Sequence, residues 1–400
     1  MGEHVENFKV NLSLLRSTQQ LSSFQGPFVG PDDSLGGEGA ALICFSHLRW
    51  DFVYQRPQHL MTRFARQTRV FFFEEPVWGD VASPTLELRR VRPGVTVAVP
   101  RLPHGMDEPA QHAAQRRLLD QLCHEHGIAR PVLWYYTPMS LPFSAHLAAT
   151  QIVYDCMDEL SAFKGAPPAL LERERELLAR ARVVFTGGRS LHQAKCGRHD
   201  NVHAFPSSVD VEHFRRAREA LADPPDQAPI GRPRIGHYAV LDERLDRELV
   251  AAIAEMRPDW QLVLVGPVVK IDPAELPRRP NIHYLGSKTY DELPAYLSGW
   301  DAAFMPFALN ESTRFISPTK TPEYLAAGKQ VVSTPITDVV DTYGRRGLVR
   351  VAATVETFVA ALEAALAQGR APGAWLERVD ALLADMSWDR TWMAMNELLR

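Results

Sequence analysis

The chain has 400 residues, 46% of them hydrophobic, enough to bury a sizeable core and more in keeping with two domains than one. A net charge of −4 gives no bulk attraction to nucleic acid, no apolar run reaches the roughly 18 residues that a membrane span needs, and the N-terminus lacks a signal-peptide core. The four cysteines, Cys44, Cys123, Cys156 and Cys196, show neither a C-x-x-C pair nor histidines at zinc spacing, so a reduced, cytoplasmic chain with no metal site is expected.

Residues 1–38 are polar and turn-rich and read as an N-terminal extension. The run 40–45 is continuously apolar, as a central parallel strand requires. His47, Arg49, Trp50 and Asp51 follow it, and Gln55 and Arg56-Pro57 then open a helix that turns Leu60, Phe64 and Ala65 inward. Packing accounts for Trp50. It does not account for so many polar groups at the carboxyl end of a strand, where open α/β sheets bind ligands. Strands are expected at 69–74, 95–100, 131–136, 151–154 and 183–187, with helices at 111–126, 141–149 and 170–181 between them; this alternation predicts a doubly wound parallel sheet. Asp155, Asp158 and Glu159 follow the fourth of these strands. They are candidates for a general base or for binding sugar hydroxyls, and Asp158 is equally a candidate helix cap.

The segment 215–233, rich in charge and proline, reads as an interdomain linker. A second alternating series follows, with strands at 234–240, 260–265, 282–285, 301–307, 330–333 and 347–351 and helices at 247–256, 290–297, 355–367 and 387–399. Its most informative stretch is 310–334, NESTRFISPTKTPEYLAAGKQVVST. Ser317-Pro318-Thr319 looks like a helix entry and Gly328 like its end. Such a helix, beginning at a strand's carboxyl end, aims free amides and a positive dipole end into the crevice. Lys320 adds a full charge suited to a diphosphate. Glu323, one turn on, shares its face and could accept hydrogen bonds from ribose hydroxyls; the plainer alternative is a surface ion pair.

SPTKTPEYLAAGKQVVST resembles the nucleotide-sugar motif of GT-B glycosyltransferases, particularly the retaining family 4, and RPQHL at 56–60 resembles the opening of bacterial surface-polysaccharide members. The family's Glu-x7-Glu pair would need an acid at 315, where this chain has Phe315. The resemblance implies two Rossmann-like α/β domains facing a central cleft, an acceptor domain at 39–214 and a donor domain at 234–384, with a last helix at 385–400 crossing back. It implies donor contacts from Gly236, Arg244, Gly266, Gly286, Ser317, Thr319, Lys320 and Glu323, where Arg244 could instead pair with Asp246 on the surface. Acceptor contacts would come from Arg49, Trp50, Gln55, Arg56, Asp155 and Asp158, with His47 and Asp51 positioning the acceptor or acting as base alongside catalytic Lys320.

The expected activity is metal-independent, cofactor-free transfer from a nucleoside-diphosphate sugar, with UDP favoured, to a glycan or lipid-linked acceptor. The expected location is the cytoplasm, with the inner membrane face as a place of peripheral contact. A GT-B sugar-nucleotide epimerase and a non-catalytic sugar-nucleotide-binding subunit are the alternatives, the latter because of Phe315. Walker A, H-E-x-x-H, G-x-S-x-G and G-x-G-x-x-G strings are absent, which removes sequence support for NTPase, metalloprotease, hydrolase and dehydrogenase readings.

Overall fold

The computed structural model describes residues 40–371 and 373–400; the extension assigned to 1–38 lies outside them. The first lobe is built on strands β1 (Ala41–Ser46), β2 (Arg69–Glu74), β3 (Val77–Gly79), β4 (Thr85–Arg92), β5 (Val95–Pro103), β6 (Val132–Tyr135), β7 (Gln151–Cys156), β8 (Val183–Thr186) and β9 (Val202–Ala204). They form one sheet in the order β3-β5-β2-β1-β6-β7-β8-β9, with β4 paired antiparallel to β5 and the other pairs parallel. Alternate residues of β1 enter different cores: Ile43 and Phe45 join one apolar cluster, Leu42 and Cys44 the other. Both faces of the sheet are therefore covered, which is why its strands read as unbroken apolar runs. The edge strand β4, TLELRRVR, has no such face; its residues are exposed or half-buried, so hydropathy gives no sign of it.

The second lobe holds β10 (Arg234–Tyr238), β11 (Gln261–Val265), β12 (Ile282–Tyr284), β13 (Ala302–Met305), β14 (Val331–Ser333) and β15 (Val349–Val351), all parallel, in the order β12-β11-β10-β13-β14-β15. It too has a core on each face. The segment assigned to a linker is packed: Gln227 accepts from the Trp300 indole at 2.9 Å, and Arg218 makes a paired contact with Asp380 at 2.7 and 2.9 Å. Val209, Phe214 and Ala217 belong to the core of the second lobe, so the chain changes lobe before residue 214. The helix Gly373–Leu383 was not foreseen. The last helix, Trp388–Glu397, returns to the first lobe, where Trp388, Trp392 and Met395 enter its core and Asp389 pairs with Arg63 and Arg66.

The lobes touch at several points. Asp338 of the second lobe accepts from the backbone N–H of Arg189 (2.8 Å) and Ser190 (3.0 Å), at the start of the first-lobe helix Arg189–Lys195. That helix has Gly188 at its cap position and no side-chain cap of its own, so the carboxylate supplies one from across the cleft. Elsewhere the Lys164 amide donates to Glu243, and the Tyr290 ring lies 4.9 Å from Tyr54 and 5.5 Å from His59.

Candidate active site

The helix Lys320–Ala326 follows the loop after β13. Thr319 at its cap position already has helical angles (φ −58°, ψ −26°) and its side chain makes no cap bond, so the cap expected from Ser317 or Thr319 does not form. The other end closes as expected. Gly328 takes φ +73°, and the amides of Gly328 and Lys329 return to the carbonyls of Leu325 and Tyr324. Ser317 sits against Gly188 of the first lobe, which places this turn at the cleft.

Lys320 Nζ lies 3.3 Å from Glu323 Oε2 and 4.9 Å from the Tyr238 ring centre, and the Tyr238 hydroxyl donates to the same oxygen at 2.6 Å. Glu323 is 6% exposed, so this is a partly buried cluster rather than a pair on an outer surface. It faces the other lobe: burial first, then the charges of Arg63, His213 and Lys320, hold the first-lobe His59 ring well below its ordinary pKa. Burial, and next the charge of Glu323, push the Tyr238 hydroxyl well above its usual range, so it stays a proton donor.

Of the proposed phosphate-side residues, Arg244 forms a two-pronged pair with Asp242 (2.7 to 3.2 Å) rather than with Asp246, which caps the helix Arg247–Met256. Its guanidinium also stands 5.4 Å from the Phe163 ring centre, beside Lys270 Nζ at 4.8 Å from the same ring. Gly236 is corrected to a packing position: it is a buried strand residue, and a side chain there would run into the Trp300 indole. Gly266 at φ +138° lets two loops meet, since a Cβ would strike the Ala239 carbonyl; Gly286 at φ +69° faces open space.

The first-lobe loop is more structural than its composition suggests. Arg56 and Asp155 form a fully buried pair (2.8 to 3.1 Å), and Arg56 also donates to the Phe205 carbonyl, so neither is free to bind a sugar. Arg49 is spent on Glu74 and the carbonyls of Glu75 and Pro76. Trp50 is buried edge-on to Phe72. Gln55 stands at the helix cap, its amide bonded to Gln58. Asp51 is exposed and paired with Arg89 on edge strand β4. Asp158 caps no helix; burial raises its pKa, offset by Arg244 across the cleft. His47 remains at the interlobe face, where burial and then the Lys270 charge lower its pKa to about 4, against a pull from the Tyr136 carbonyl.

Two cleft residues were missed. Tyr238 reads as an ordinary strand residue, and its only signal is its place at the carboxyl end of β10. Glu75 follows β2 with an exposed side chain; crowding by surrounding protein raises its pKa to about 7, against the charges of Arg49 and Lys270 and with that of Glu74. Phe315 lines an open interlobe groove of about 500 Å³ together with Glu159, Ser161, Ala162, Leu171, Arg198 and Glu311.

Comparison with known proteins bears on the fold. Residues 234–368 match the family described as Glycosyl transferases group 1. A stretch of 225 residues, 51% of the chain, is 29% identical to a Bacillus subtilis (strain 168) protein provisionally named teichuronic acid biosynthesis glycosyltransferase TuaH, and spans 55% of that protein's length. Sucrose-phosphate synthase from Thermosynechococcus elongatus superposes with a TM-score of 0.65 at 14% identity, over 90% of this chain and 98% of that one. A UDP-forming α,α-trehalose-phosphate synthase from Burkholderia vietnamiensis gives 0.66 at 15% identity, over 91% and 99%. The chain thus has the GT-B fold, two parallel-sheet α/β lobes about a cleft, and its second lobe carries a glycosyl transferases group 1 domain.

Proposed function

We propose that this chain moves a sugar from a nucleoside-diphosphate sugar, a UDP-sugar by preference, to a glycan or lipid-linked acceptor during surface-polysaccharide assembly. The observation that carries this reading is the Lys320–Glu323 turn, partly buried at the interlobe face with a tyrosine hydroxyl fixing its carboxylate. Glu323 would hold the donor ribose. Lys320, Arg244 and backbone amides would neutralise the leaving diphosphate, with no metal and no further cofactor called on. The first lobe would hold the acceptor, with His47 orienting it; configuration would be retained, so no dedicated base is required. The relative's name, concerned with teichuronic acid, supports the polysaccharide context.

Glu323 is only 6% exposed; parting of the lobes would admit a donor to it, and their closing would exclude water. The chain would work in the cytoplasm, at the inner membrane face; no described helix is long and apolar enough to cross a membrane, so contact there would be peripheral. The test is a melting-temperature screen against UDP-, GDP- and dTDP-sugars, because a ligand that binds only the folded state raises the transition. One of these should stabilise the wild type, and Lys320→Ala and Glu323→Ala should each abolish most of that shift. Equal shifts in all three proteins would remove the role given to this turn.

A further inference from the structure

The Glu323 carboxylate is used unevenly. Oε2 receives the Tyr238 hydroxyl at 2.6 Å and lies 3.3 Å from Lys320 Nζ, whereas no described residue donates to Oε1. Tyr238 is itself fixed. Its backbone N–H donates to the Tyr324 hydroxyl at 2.8 Å, that hydroxyl donates to the Tyr238 carbonyl at 3.1 Å, and the ring stands edge-on to Tyr324 at 5.0 Å. We propose that Tyr238 is a positioning residue for the donor site: by occupying Oε2 it locks the Glu323 carboxylate and presents Oε1 as the one acceptor for a ribose hydroxyl. This rests on the sugar-nucleotide reading given above.

The chemistry favours a tyrosine here. A hydroxyl kept protonated by burial can only donate to the carboxylate, so it fixes the direction of the hydrogen bond across the working pH range. Its ring also gives Lys320 a face 4.9 Å from the ammonium, a cation–π contact that holds the lysine beside the acid without neutralising it. Nearby, the Tyr290 hydroxyl is buried with no hydrogen-bond partner among the described residues, and Glu323 is among the charges that raise its pKa. A polar group left unsatisfied beside the carboxylate marks the same place as one a ligand hydroxyl completes.

The experiment compares UDP with 2′,3′-dideoxyuridine diphosphate, which lacks both ribose hydroxyls, by titration calorimetry on wild type, Tyr238→Phe, Glu323→Gln and the double variant. Phenylalanine keeps the ring and its contacts, and melting curves check the fold. The expected result is that Tyr238→Phe weakens UDP about tenfold, the scale of one hydrogen bond to a charged group, and changes the dideoxy analogue less than about twofold. In the Glu323→Gln background it should add nothing. Equal weakening of both nucleotides, no weakening of either, or an effect that persists without the carboxylate would overturn the role. If the wild type binds none of UDP, GDP and dTDP, the donor reading itself falls, and that is visible before any variant is made.

Discussion

Asp338→Ala should loosen the two lobes without unfolding either. The carboxylate is 4% exposed and accepts two backbone N–H groups, 2.8 and 3.0 Å away, at the start of a helix with no cap of its own. Buried hydrogen bonds to a charged group contribute roughly 1.5–3 kcal/mol each, and losing a cap costs about 1 kcal/mol. Parting the lobes lets water reach both partners, so the net loss to the shut state should be nearer 2 kcal/mol, about 30-fold in the balance of shut to open forms. Spin labels on Cys196, exposed in the first lobe, and on an Ala367→Cys variant of the second report the interlobe distance by electron–electron resonance. The distribution should broaden to longer separations in Asp338→Ala. Gly188→Ala should do the same by another route, since its Cβ would press on Asp338 and on Ser317. Unchanged distances in both variants, with normal melting, would show that this contact does not hold the lobes.

Three further outcomes can be checked by denaturation. Arg56→Ala leaves Asp155 charged and buried and should cost about 3–5 kcal/mol, whereas Arg56→Leu combined with Asp155→Leu should recover most of that loss; a double variant less stable than either single one would contradict this account. Gly236→Ala should cost about 3 kcal/mol by forcing the Trp300 indole, 2% exposed and bonded to Gln227, out of its seat. For His47 the folded pKa falls from 6.5 to about 4. The neutral ring therefore favours the fold, its contribution is whole above pH 6.5, and it is lost as pH falls toward about 4. The size is about 3 kcal/mol, and His47→Gln should flatten that part of the urea-derived stability curve.

The sheets were legible because each central strand is covered on both faces. The apolar run 40–45 and its counterparts have no other stable home, and their order in the chain alternates with amphipathic helices. What was not legible came from pairings distant in sequence. Arg56 and Asp155 are 99 residues apart, and each taken alone looks like a cleft residue. Asp51 looked functional because nothing in a charged stretch such as TLELRRVR announces an edge strand whose Arg89 would claim it. Tyr238 was invisible for the opposite reason: its hydroxyl acquires meaning only when a residue 85 positions later supplies the carboxylate. Composition near a strand's carboxyl end locates a cleft, but partner choice decides which of its polar groups are still available.

On the proposed reading, Lys320 and Glu323 serve in turn as an ion pair and as a donor site. The lysine is 3.3 Å from the carboxylate, so neither charge is left bare in a partly dehydrated place. An arriving diphosphate would offer Lys320 a second anion, so the ammonium would exchange one partner for another with little new desolvation. Glu323 does not become an orphan when the lysine turns, because Tyr238 still donates to Oε2 and a ribose hydroxyl can take Oε1. Lys320→Met should therefore weaken binding of UDP far more than of uridine, which has the ribose but no phosphates, while Glu323→Gln should weaken both. A lysine serving only to pair with the acid would give the two variants the same pattern.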